Sequence, residues 1–271
     1  MDPTHFISGT GEHALVITRI AERHWHALED DRVVGRGQAS PRPDGRVFLS
    51  IDVWHAVVFD RLAEVMLADL PTPLYTVVDE ADIDLTSRWE RVGFVTRRRE
   101  WEYVVPTDPA ITGLGSVLPS PGLTILPSGA VDEEPLRALD RVIRDEVGAT
   151  VGWDSMPAEL LARPDGSPLL DPSRYIVAAE AGRYIGLVRV APIPRRSRIG
   201  LIAVRTDQRR RGIARALLAH VLGSLHRSGT AMASADVHEA NAVAVALFEG
   251  VGAWRDSSNL ELVLDQEGRR P

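Results

Sequence analysis

The chain has 271 residues and a mass of 29.7 kDa, and at roughly 150 residues per domain that length predicts two domains. Its composition, 44% apolar and 25% charged, excludes a disordered chain, and a net charge of −7 with a pI near 5.6 lacks the basic footprint that nucleic acid needs. Cysteine and lysine are both absent, so disulfides, thiolate metal sites, cysteine nucleophiles, Schiff bases and P-loop lysines are excluded, and all 31 basic residues are arginine.

No apolar run approaches the roughly 18 residues of a membrane span, and no basic-then-apolar leader opens the sequence. A cytoplasmic protein with no membrane, nucleic-acid or metal partner is expected, as a monomer or homodimer. In chain order, residues 25–53 read as three strands separated by turns, followed by a helix at 57–69, a strand at 74–79, a helix at 84–91 and a strand at 95–105. Residues 106–122 are rich in Pro and Gly, which sets a linker at 108–121 between domains at 1–107 and 122–271. The second part opens with a strand at 123–126 and a helix at 131–147. Strands follow at 175–179, 183–190 and 199–204, with turns at Gly182 and at Pro192 to Pro194. A helix at 209–226 carries Ile213, Leu217, Val221, Leu222 and Leu225 on one stripe, and a strand (232–238), a helix (242–250) and a strand (257–264) complete the chain.

The two parts resemble each other. At an offset of 151, Arg32, Gly35, Pro41, Pro43, Ile51 and Val53 match Arg183, Gly186, Pro192, Pro194, Ile202 and Val204. Residues 78–94 align without gaps on 237–253 at an offset of 159, where Val78, Glu80, Ala81, Glu90, Val92 and Gly93 match Val237, Glu239, Ala240, Glu249, Val251 and Gly252. The change of offset places eight extra residues in the second copy, around QRRRGIA at 208–214. The chain reads as a tandem duplication whose copies differ at one loop.

That loop is where the chemistry concentrates. An apolar strand ends at Val204 and a helix is expected from Arg209. The first-turn N–H groups of a helix lack intrahelical partners and sit at the positive end of its dipole. Gly212 admits a bulky anion to the backbone, and Arg209, Arg210 and Arg211 add charge-assisted donors. Together these make a cradle for a diphosphate that needs no lysine.

The motifs VxxxxRRRGIAxALL (204–218) and VxxxNxxAxxLFxxxGA (237–253) resemble the two signatures of the GCN5-related N-acetyltransferases (GNAT). The pattern covers roughly 123–265, and the first part resembles a degenerate copy, as in tandem acetyltransferases of the mycothiol synthase type. The resemblance implies an α/β (α+β) fold of two tandem domains, each a mixed, mostly antiparallel sheet with flanking helices and splayed central parallel strands. It implies acetyl-CoA as cofactor, held by the backbone of Ile202, Ala203 and Val204 and by the N–H groups of Arg209, Arg210, Arg211, Gly212, Ile213, Ala214 and Arg215. Asn241 is expected either to bond the pantetheine arm or to cap the helix at 242. Phe248 stands where many members of the family place a tyrosine that protonates the leaving thiolate, and it cannot donate a proton. Tyr184 is an alternative donor, and a thiol with a pKa near 8.5 leaves tolerably without one.

The reaction implied is transfer of an acetyl group to a primary amine of a small molecule. A lysine-like amine is neutral about 0.04% of the time at pH 7, so a base is useful. Asp236 holds the position of a carboxylate found in some members of the family. His238 lies on the same strand face, and Glu180 ends a strand that could border the acceptor. Trp153 and Asp154 are candidates to stack on and neutralise the acceptor amine. Candidate acceptors are a biosynthetic intermediate, a polyamine, or an aminoglycoside or basic peptide antibiotic. The rival reading is a non-catalytic acyl-CoA-binding sensor.

Overall fold

The computed structural model describes residues 15–42, 44–149, 170–191 and 196–265. Trp153 and Asp154 lie outside them, as do Pro192 and Pro194. The chain divides into two compact units, residues 1–99 with 259–271, and residues 100–258.

In the first unit β1 (Val16–Ala21), β2 (His24–Glu29), β3 (Arg32–Pro41) and β4 (Val47–Val53) form an antiparallel meander. β1 lies outside the elements expected from sequence. β5 (Leu74–Asp79) joins β4 in parallel. The far edge of β5 pairs antiparallel with residues 259–264 of β12 (Trp254–Leu264), the last strand of the chain. Helix α1 (Ala56–Asp69) buries Phe59, Leu62 and Met66 on one sheet face. It packs so closely that a Cβ on Gly37 would stand 2.3 Å from the Met66 sulfur. Trp89 of α2 (Ile83–Arg91) meets Phe59 and Phe94 edge-on at 5.0 and 4.8 Å. The other sheet face has no helix among the described residues, and there His24, His26, Arg36, Gln38, Ser50 and Asp52 line a shallow hollow of about 390 Å³.

The second unit repeats the plan. β7 (Leu123–Leu126), β8 (Tyr175–Glu180), β9 (Arg183–Ala191) and β10 (Ser197–Val204) are antiparallel. β11 (Met232–His238) follows in parallel, and residues 100–106 of β6 (Val95–Pro106) close the sheet antiparallel to β11. Helix α4 (Glu133–Gly148) covers one face with Leu136, Leu139 and Ile143 over Tyr175, Val177 and Leu187. Helix α5 (Ile213–Arg227) covers the other, with Leu217, Leu218 and Val221 over Ile185 and Val188. At the positions matching Val177, Leu187, Leu201 and Ala203 the first repeat carries His26, Arg36, Ser50 and Asp52, which follows from its lack of a covering helix.

Each repeat's last strand is therefore built into the other unit. The segment read as a linker is also packed. It holds a single turn, α3 (Pro109–Thr112), and Thr112 and Leu114 are buried. No described helix is long and apolar enough to cross a membrane.

Candidate functional site

The turn between β10 and α5 is the point at which the repeats diverge. In the first repeat two residues (54–55) connect β4 to α1, whereas eight (205–212) connect β10 to α5. The helix starts at Ile213, the first residue of its apolar stripe and four residues later than the start expected at Arg209. Gly212 takes a left-handed conformation (φ 75°, ψ 5°) as its N-cap, and Arg210 is also at positive φ (63°). This backbone turns the chain sharply, so Arg209, Arg210 and Arg211 precede the helix. The first helical bond runs from the Ala216 N–H to the Gly212 carbonyl. Among the described residues no backbone acceptor serves the N–H groups of Arg210, Arg211, Gly212, Ile213, Ala214 or Arg215. A Cβ built on Gly212 meets nothing within 4 Å, so the concave side is open. A diphosphate fits this donor set: six orphan amides at a dipole's positive end, with guanidinium groups alongside.

Two carboxylates hold the turn in shape. Glu146 of α4 accepts from the Thr206 N–H at 3.0 and 3.1 Å. Glu180 accepts from both terminal nitrogens of Arg211, at 3.0 and 2.5 Å, and the hydrogen-bonded guanidinium holds its carboxyl below the ordinary 4.5. Arg211 also bonds Gln208.

β10 and β11 pair over only three positions, Ser197↔Ala233 to Ile199↔Ala235, and then part. β10 carries a register shift between Ile199 and Leu201, while its other edge stays bonded to β9 as far as Val204. The inner edge of β10 beyond Ile199 thus lacks a strand partner. The gap is a narrow cleft of about 70 Å³ lined by Glu100, Gly200, Ile202, Asp236, His238 and Asn241, with Phe248 at its side.

Of the expected acid–base groups the cleft gathers Asp236 and His238 but not Glu180. Arg198 donates to Asp236 at 2.8 Å. His238 Nδ1 accepts from the Ala240 N–H at 3.1 Å, which leaves Nε2 protonated in the neutral ring and suits it to donate rather than to accept. Asn241 Oδ1 accepts from the Ala244 N–H at 3.1 Å and so caps α6 (Ala242–Glu249), as Asp82 caps α2 in the first repeat. Its amide nitrogen faces a separate task, since Asn241 also lines the cleft. Phe248 is buried and stacks on Tyr103 at 6.0 Å. The Tyr103 hydroxyl is engaged by Glu249 and Arg255, each at 3.0 Å, and burial raises its pKa. Tyr184 accepts from the Asp132 N–H at the start of α4 and is absent from the cleft lining. Ala203 and Val204 lie on β10 past the cleft, partly buried against the two cores, and Ile213 is buried beneath the turn. Sequence reasoning missed Glu100, because nothing in a strand's own residues tells which repeat will pair with it.

A sheet opened between two parallel strands, with an unsatisfied helix start after the first of them, is the fold of the GNAT acetyltransferases. Residues 144–253 match the model of the acetyltransferase (GNAT) family. It is similar to the [ribosomal protein bS18]-alanine N-acetyltransferase of Escherichia coli, with 43% identity over 51 residues, 19% of this chain. The match spans about a third (34%) of that relative's length. Among solved structures, a tandem GNAT protein from the clavulanic acid biosynthesis pathway superposes with a TM-score of 0.62 at 14% identity, covering 95% of this chain and 84% of its own. A GCN5-related N-acetyltransferase from Sphaerobacter thermophilus gives 0.60 at 14% identity, covering 91% and 82%.

Proposed function

We propose that the protein is an acetyl-CoA-dependent N-acetyltransferase that acts on a primary amine of a small molecule, with its active site in the second repeat. The observation that carries this reading is the pairing of two features on one strand: the open edge of β10 beyond Ile199 and the amide cradle at its C-terminal end. A thioester laid along that edge, with its diphosphate in the cradle, brings its carbonyl to the cleft that holds Asp236. Acetyl-CoA supplies an activated acyl carbon, and the chain's own work is to bind, align and move a proton. The backbone of Ile202 to Val204 holds the pantetheine arm and polarises the carbonyl, and the Asn241 amide nitrogen bonds the arm. Asp236, directly or through water, accepts a proton from the amine. Positioning contributes up to roughly 7–11 kcal/mol, more than the 10²–10⁴ in rate expected of a base.

A second reading, a non-catalytic acyl-CoA sensor, is favoured by Phe248, which offers the thiolate no proton. Thiol titration separates the two, and a cysteine-free chain gives no background. With 1,5-diaminopentane, an aminoglycoside and an alanine-led tripeptide as acceptors, an acetyltransferase releases coenzyme A in step with at least one amine. Tight acetyl-CoA binding with no release on any of a broad amine set identifies the sensor.

A further inference from the structure

We propose that Arg189 receives a carboxylate carried by the acceptor, so that the amine acetylated belongs to a molecule with an acidic group at its other end, as in an amino acid or a peptide. The proposal rests on the acetyl-transfer reading above and narrows its acceptor.

The observation that carries it is a guanidinium with nothing to hold. Among the described residues the Arg189 side chain makes no hydrogen bond or ion pair, and its Nη1 is buried without an acceptor. A charged donor shut off from water is costly unless something supplies the acceptor. The carboxylates that act on its neighbour Tyr175 are engaged elsewhere. Asp140 bonds Arg144 at 2.5 Å, and Asp171 bonds Ser173 and Arg174. Arg189 as a whole is only partly buried, which leaves part of it open to a ligand.

Its place is the edge of the cleft. Arg189 stands on β9 opposite Leu201 of β10, two residues past Ile199, where β10 leaves β11. Gly200 falls in the register shift between Ile199 and Leu201, and it lines the cleft. A Cβ there would stand 3.1 Å from Arg189 Nη1, so the guanidinium lies against the cleft's own wall. Arg189 shares a strand face with Leu187, which packs under α4. Asp236 lies on that same face of the sheet, because Ala235 and Val237 turn the other way into the core under α5. Two strand spacings, roughly 10 Å, separate the backbones of Arg189 and Asp236. An acceptor with its amine at Asp236 and its carboxylate at Arg189 therefore spans β10, the strand along which the thioester is laid. A guanidinium suits the far end, because its planar fork meets a carboxylate with two parallel bonds.

The repeat supplies an internal comparison. At the offset of 151 the position matching Arg189 is Gln38, and the β3–β4 ladder runs from Gly35↔Val53 to Pro41↔Val47 with no register shift. The unit without a cradle thus lacks both the irregularity and the guanidinium beside it.

The test uses the full chain and two matched pairs of amines. L-lysine is set against 1,5-diaminopentane, which is lysine without its carboxylate, and the alanine-led tripeptide against its C-terminal amide. In at least one pair the unaltered protein should show a kcat/KM at least tenfold higher for the acid, the difference lying in KM. Arg189→Gln should bring that ratio within about twofold by slowing the acid, with its carboxylate-free partner within about threefold and acetyl-CoA affinity unchanged. Arg189→Lys should recover part of the preference. Calorimetry in the presence of coenzyme A, which has no acetyl group to give, should show the same preference as binding and show it lost in Arg189→Gln. Equal kcat/KM within both pairs for the unaltered protein, a preference that survives in Arg189→Gln, or a variant that slows acid and partner alike overturns the role of Arg189 and leaves acetyl transfer standing. If the unaltered protein binds acetyl-CoA but releases no thiol with any amine, the acetyl-transfer reading itself fails and this one with it.

Discussion

Gly212 and Arg210 show what single residues decide in the cradle. Both are at positive φ, a conformation that costs an L-residue on the order of 1–2 kcal/mol, and only Gly212 avoids that cost. Gly212→Val should therefore destabilise the fold by about that amount and close the concave side of the turn. The expected result is at least a hundredfold loss of acetyl-CoA affinity by calorimetry, with circular dichroism unchanged. Glu180→Gln is a sharper discriminator between roles. If Glu180 only ties down Arg211, an exposed ion pair of this kind is worth little, and acetyl-CoA affinity should change by less than about fivefold with the pH profile of turnover intact. A loss of turnover by 10² or more would return Glu180 to the base. Asp236→Asn should lower kcat at neutral pH at least tenfold while leaving acetyl-CoA affinity alone. The turn at Gly212 was legible in the sequence because arginines, a glycine and a helix start lie side by side. The bond between Glu180 and Arg211 was not, since it joins residues 31 apart whose meeting depends on how β8 lies beside the turn.

Among the elements, period and punctuation carried nearly everything. The strand at 74–79 and the strand at 232–238 were read to the residue, because each is an apolar run bounded by turn residues. The start of α5 was misread for a physical reason: a run of arginines suits a helix by propensity, and the left-handed Gly212 overrides it. The early parting of β10 and β11 leaves no mark in either strand. Helix α5 also carries a pH response. His220 is partly buried there, and burial, with Arg227 adding, lowers its pKa below the ordinary 6.5. A histidine depressed in this way binds its proton more readily in the unfolded chain. Its contribution to stability is therefore complete above about pH 6.5 and is lost as pH falls toward the folded value. Melting temperatures recorded between pH 7.5 and 5 should show His220→Gln falling less steeply than the unaltered protein, and parallel curves would remove His220 from the acid response.

For the whole molecule the exchange of last strands matters most. The duplication was visible in the sequence, and so was the strand content of both copies. The partner of each last strand was not, because nothing in the alternation of β6 or of β12 says which sheet edge it closes. Residues 108–271 expressed alone lack β6, which leaves seven residues of β11 without their ladder and removes the fully buried Tyr103 and Val105. At about 1.5–3 kcal/mol for each such side chain, the loss is a large part of a domain's stability of about 5–15 kcal/mol. Each half made separately should aggregate or self-associate, and the two made together should elute as a soluble one-to-one complex. A monodisperse, folded 108–271 fragment would contradict this.

The same exchange bears on inheritance. A recombination event that collapses the two copies into one leaves a chain with a single closing strand and no second copy to trade it with. The copy that carries no cradle of its own thus supplies the strand that closes the sheet of the copy that has one.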